Sequence, residues 1–138
     1  MSLLQSEIRK QIQSNLEAVQ NRIKTASQAS GFQHSVELVA VTKYSPIEII
    51  EHLFELGHQD FGENRPQQLI ERSSHLSKGN WHLIGQLQGN KVRAILPHVA
   101  MIHSVDSQKL LERIVRIGAD LNCFPPLLLQ VNISGEAA

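Results

Sequence analysis

The residue with most chemistry to offer is Lys43, the last of the run Glu37-Leu-Val-Ala-Val-Thr-Lys43. That run is short, apolar and partly β-branched, the composition of a buried parallel strand. Lys43 then falls at the C-terminal end of the strand, in step with Val39 and Val41 on one side of the sheet. Parallel α/β proteins place their ligands at that end of the strands. Among apolar neighbours a lysine loses solvation, which favours the free amine, a nucleophile toward carbonyl carbon. Schiff-base chemistry is the natural use of such a residue, and an ammonium that simply reaches water is the plainer one.

Other polar residues recur at equivalent places. Asn64 follows the Phe61-Gly-Glu63 segment, where its amide can both donate to and accept from a ligand, or simply form a local turn beside Gly62. His82 lies in Trp81-His-Leu-Ile84, and its imidazole either meets a ring-shaped ligand or is a buried histidine satisfied by the backbone. Gly85 closes that segment and either lets the backbone approach a cofactor or turns the chain. Gln130 and Asn132 share one face of an otherwise apolar strand, which calls for a ligand or an internal polar network. His103 and Ser104 end another strand, and Asp106 is most simply a helix cap.

These residues need a scaffold that lines up strand ends. Leu4, Ile8, Ile12, Leu16, Val19 and Ile23 recur at helical spacing, predicting a long helix over residues 3–28 that ends at Gly31. After the Lys43 strand, Ser45 as N-cap and Pro46 at the first helical position begin a helix with the stripe Ile47, Ile50, Leu53, Phe54. Alternation then continues: strand 59–62, helix 66–75, strand 81–84, helix 91–96 and strand 101–103. Asp106-Ser107 caps a helix with the face Leu110, Leu111, Ile114, Val115, and a last strand spans Pro126–Asn132. Strand and helix in turn with short connections predict a parallel sheet wrapped by helices. Five strands and four βα units are about half of a TIM barrel, which typically needs ~250 residues. The pattern fits either the front half of such a barrel or a small open doubly wound sheet, as one partial (β/α) domain over residues 1–138.

Composition narrows the function. Thirteen basic residues balance thirteen acidic ones, which disfavours nucleic acid or an anionic membrane as the main partner. Cys123 is the only cysteine, so no intrachain disulfide can form and a reducing compartment suits the chain. Charges interrupt the N-terminal apolar residues as they would not in a signal peptide, and Glu7 and Glu17 count against a transit peptide. With no apolar run of ~20 residues, a cytoplasmic protein is expected. The seven histidines show no HxxxH pair, so no metal site is expected. Walker, GxGxxG and GxSxG motifs are absent, and the basic turn Gly89-Asn-Lys-Val-Arg93 reads as solvated surface.

Five segments occur in order: Leu38-Val-Ala-Val-Thr-Lys-Tyr-Ser-Pro46, Phe61-Gly-Glu-Asn-Arg65, Trp81-His-Leu-Ile-Gly-Gln-Leu-Gln-Gly-Asn-Lys91, Ile102-His-Ser-Val-Asp-Ser107 and Gln130-Val-Asn-Ile-Ser-Gly-Glu136. Together they resemble the pyridoxal phosphate homeostasis protein family, single-domain barrels similar to the barrel half of alanine racemase. The resemblance implies a TIM-barrel type repeat truncated to its first four or five strands and preceded by a long helix. It implies pyridoxal phosphate as cofactor, held as a Schiff base on Lys43 for cofactor homeostasis rather than turnover, with Asn64, His82, Gly85 and Asn132 nearby.

The chain departs from the family pattern at Tyr44 and Ser45, where threonine and lysine are usual, at Gln86, where histidine is usual, and at Ala137-Ala138. The later strands, which in the family cradle the cofactor phosphate, have no counterpart here. A half barrel exposes strand edges and an apolar face, so instability, self-association or completion by a missing C-terminal half is expected. Two alternatives stay open: a racemase-like enzyme, for which Tyr44 is poorly placed as second acid/base group, and a degenerate half barrel without cofactor.

Overall fold

The computed structural model describes residues 3–32 and 34–135, with the side chains of Leu3 and Leu4 outside the description. Five strands form one parallel sheet in the order β1-β2-β3-β4-β5, and each pairs only with its neighbours in sequence. A doubly wound sheet reverses direction at a switch point, whereas consecutive order without reversal is the topology of a barrel wall. Strand order therefore decides between the two folds that the sequence pattern allows.

The strands are β1 (Ala40–Val41), β2 (Asp60–Glu63), β3 (Asn80–Leu83), β4 (Met101–Val105) and β5 (Leu127–Leu129). Helix α1 (Leu3–Ala29) precedes them, and α2 (Ile47–Glu55), α3 (Pro66–His75), α4 (Val92–Ile95) and α5 (Gln108–Leu121) make the crossovers. Short 3₁₀ turns at Gly89–Lys91 and Leu96–His98 flank α4, so the helix expected over 91–96 is split, with Pro97 inside the second turn. Helix α1 leans on α2, where Arg9 pairs with Glu55 at 3.0 Å.

Side chains alternate across the sheet. Phe61, Trp81, Leu83 and Ile102 are buried toward the helices with Ile50, Leu69, Ile95, Leu110 and Ile114. The rings of Phe61 and Trp81 lie 5.1 Å apart, and the Trp81 indole donates to the Leu76 carbonyl at 3.1 Å. Burying a residue such as Leu83 contributes about 2–3 kcal/mol through apolar area alone. The other side of the sheet is open: Val41 is 54% exposed at one edge and Leu128 47% at the other. Phe124, Leu129, Val131 and Ile133 are exposed as well.

Several boundaries differ from expectation. Strand β1 is two residues long instead of seven, and β5 three instead of seven; each is an edge strand with one partner, so half of its backbone bonds are unavailable. Pro46, not Ser45, is the N-cap of α2, and no side chain caps it. Ser107 caps α5, its hydroxyl accepting from the Leu110 amide at 3.3 Å, while Asp106 lies outside. The buried stripe of α5 is Leu110, Ile114, Ile117 and Gly118; Val115 faces solvent because the stripe advances by three or four residues. That helix ends on Asn122 in the left-handed conformation, which asparagine tolerates.

Candidate functional site

The open face of the sheet gathers the polar residues. Val41, Gly62, His82 and Met101 are register partners across four strands, so the side chains of Val41, His82 and Met101 share that face. Asp60 on β2 and His103 on β4 lie two residues from this row and therefore on the same side. His82 is buried, and its Nε2 donates to Asp60 Oδ1 at 3.1 Å. Its Nδ1 lies 2.9 Å from His103 Nε2. With both rings neutral, His103 Nε2–H donates to His82 Nδ1, giving a chain from Asp60 through His82 to His103. Asn80 also donates to Asp60 Oδ1 at 3.1 Å, and His58 Nε2 donates to the Asp60 carbonyl at 2.8 Å. Burial holds the pKa of His103 below its ordinary value, and the neighbouring His82 adds to the effect.

Lys43 lies just beyond β1. The last sheet bond on this strand is Thr42 N–H to the Gly62 carbonyl at 3.0 Å, and Ser45 N–H then closes a turn on the Thr42 carbonyl at 2.8 Å. Lys43 sits within this turn, not in a continuing strand as the run of apolar residues predicts. Its side chain is half-buried, with the ammonium 5.2 Å from the centre of the exposed Tyr44 ring. It makes no hydrogen bond to Asn64 or His82 among the described residues.

Behind the turn, on the helix side, Glu63 is fully buried and accepts from Thr42 Oγ1 and Arg72 Nη1. Arg72 on α3 also donates through Nη1 to the Thr42 carbonyl and through Nη2 to the Ser45 carbonyl, both at 2.7 Å. The sequence singles out neither Glu63 nor Arg72. The available signal is an acidic residue at a strand position in phase with the buried Phe61, which demands a cationic partner.

Gly85 meets protein backbone. A Cβ there would lie 2.1 Å from the Asn64 carbonyl oxygen, so the loops after β2 and β3 touch where a side chain would stand. Ser104 Oγ donates to the Gly85 carbonyl at 2.6 Å and ties in β4. Asn64 is thereby held beside β3. Asn132 lies beyond β5, exposed, with its side-chain oxygen accepting from the Gly135 amide at 3.0 Å, and the structure does not bring it to the histidine chain. No group of three or more potential metal ligands occurs among the described residues.

No family model matches the chain. A curated relative from Vibrio cholerae, named pyridoxal phosphate homeostasis protein, is 36% identical over 136 residues, covering 92% of this chain and 57% of the relative. PipY of Synechococcus elongatus, solved with PLP bound, is 41% identical with a TM-score of 0.72, over 82% of this chain and 55% of PipY. The solved structure of an unknown protein from Bifidobacterium adolescentis matches with a TM-score of 0.84 and 34% identity, over 94% of this chain and 58% of that one. The chain thus spans a little over half the length of the proteins it matches. No helix among the described residues is long and apolar enough to cross a membrane. By sequence and by fold, the chain is similar to the pyridoxal phosphate homeostasis proteins over nine-tenths of its own length and just over half of theirs.

Proposed function

We propose that the chain holds pyridoxal phosphate on Lys43 and serves cofactor homeostasis as a carrier in the cytoplasm. The observation that carries this reading is the placement of Lys43 at the C-terminal edge of a barrel-type sheet, in a chain similar to PLP-bound PipY. The donor set fits the aldehyde and ring of the cofactor: a primary amine just beyond β1, Asn64 in the loop after β2, and His82 on the open face of β3. Lys43 would hold the cofactor through its amine, to which the bound pyridoxal phosphate would offer an aldehyde, with the carbonyl oxygen leaving as water. Asn64 and His82 would orient the ring, Gly85 fixes the loop that carries Asn64, and Asn132, exposed beyond β5, would have to turn toward the ring to join them. The single tyrosine, Tyr44, is 89% exposed and adjacent to Lys43 in sequence, which favours a carrier over a racemase needing a second acid/base group across the cofactor.

The test mixes the purified chain with pyridoxal phosphate, records the visible spectrum, reduces with borohydride and maps the adduct by mass spectrometry. The expected result is a yellow protein labelled at Lys43, with the colour lost in Lys43→Ala. A folded chain that carries no adduct at Lys43 overturns the carrier reading.

A further inference from the structure

We infer that Glu63 and Arg72 are positioning residues for Lys43, an inference that rests on the carrier reading above. Lys43 has no strand to hold it. Strand β1 ends two residues earlier, pairs on one side only, and gives way to the turn Thr42–Ser45. Both carbonyls that bracket this turn, Thr42 and Ser45, accept from one guanidinium at 2.7 Å. Lys43 is suspended between two fixed points.

The guanidinium is itself immobilised. The Arg72 side chain is 12% exposed and its partner Glu63 is fully buried. Glu63 Oε1 accepts from Arg72 and from Thr42 Oγ1. Gln68, with its amide turned to satisfy both atoms, donates to Glu63 Oε2 at 3.3 Å and accepts from Arg72 Nη2 at 3.0 Å. The loop of contacts thus closes from the end of β2, through α3, to the turn and back. A buried ion pair contributes little net stability compared with a well-packed apolar pair, so its retention here points to geometry. Arginine suits the task because its planar fork spans two carbonyls and a carboxylate at once, which a lysine ammonium on a flexible stem does not.

The test compares wild type with Arg72→Lys and with the double variant Glu63→Leu/Arg72→Met, which removes both charges together so that no lone ion is buried. Each is incubated with pyridoxal phosphate, quenched with borohydride at timed intervals, and labelling is quantified at every lysine. Exposed Lys10, Lys24, Lys78, Lys91 and Lys109 serve as internal controls, and circular dichroism reports folding. A displacement near 1 Å at a reacting group is worth up to about a hundredfold in rate, so a loss of about tenfold or more at Lys43 is expected in the double variant, with control lysines unchanged. Arg72→Lys, which keeps the charge but loses the planar fork, is expected to fall between; it decides alone if the double variant fails to fold. Labelling of Lys43 at the wild-type rate in a folded variant overturns the positioning role and leaves the carrier reading standing. Wild type without preference for Lys43 over the control lysines overturns both.

Discussion

Replacing Gly85 by alanine tests the contact that places Asn64 beside β3. The added Cβ would lie 2.1 Å from the Asn64 carbonyl oxygen and 2.7 Å from its carbonyl carbon and Cα. All three are backbone atoms, so no side chain can swing aside; the loops after β2 and β3 must part by roughly 1 Å or more to restore ordinary contact. Two bonds sit at the point of opening: Ile84 N–H to the Glu63 carbonyl at 2.9 Å, and Ser104 Oγ to the Gly85 carbonyl at 2.6 Å. Each is worth about 1 kcal/mol, and forced overpacking adds about 1–3 kcal/mol, so a loss of about 3 kcal/mol is expected. For a domain of this size that lowers the melting temperature by about 10 °C. Urea unfolding, followed by circular dichroism and by the fluorescence of Trp81, the single tryptophan and a β3 residue, measures it directly. Stability within about 0.5 kcal/mol of wild type, the range of surface substitutions, would show that the two loops do not touch and refute the reasoning.

Leu83→Ala, at a fully buried position facing the helices, is expected to cost about 3–4 kcal/mol, measured by the same unfolding curves. His103 has a folded-state pKa held below the unfolded value of 6.5, so the unfolded chain takes up its proton first as pH falls. The stability contributed by neutral His103 is present above pH 6.5 and is lost as pH drops through the lower folded value. Urea midpoints between pH 7.5 and 5 are expected to fall in wild type and to fall less in His103→Asn. Arg93→Ala removes a 2.6 Å pair with Asp120 in which both side chains are more than half exposed, and unfolding midpoints are expected to move by less than about 0.5 kcal/mol.

Much of this architecture is legible in the sequence because it depends on local patterns. The spacing of Ile8, Ile12, Leu16 and Ile23 marks α1 within a residue of its end, and the alternation of short strand candidates with helical stripes marks all five strands. Strand length is less legible. The Glu37–Lys43 run has strand composition throughout, yet only Ala40 and Val41 pair, because a partner on one side and a competing guanidinium at the Thr42 carbonyl decide where the ladder stops. Site residues divide in the same way. Lys43 and Asn64 stand out as polar residues at strand ends and His82 as one within a strand, but the partners of His82 come from Asp60 and His103, each about twenty residues away. Arg72 looks like any exposed helix cation until α3 folds its side chain back beneath the Lys43 turn.

The strictly consecutive pairing of the strands also bears on how the molecule assembles. Ala40 meets Phe61, Asp60 meets Asn80, His82 meets Met101 and Ile102 meets Leu127, so every pairing closes over a single crossover. Loops of that length cost little entropy to close, and none has to wait for a distant segment. As the chain leaves the ribosome, each new strand finds its partner already made, and the sheet grows from its N-terminal end one unit at a time. A fault in one unit then stalls those that follow and spares those already in place.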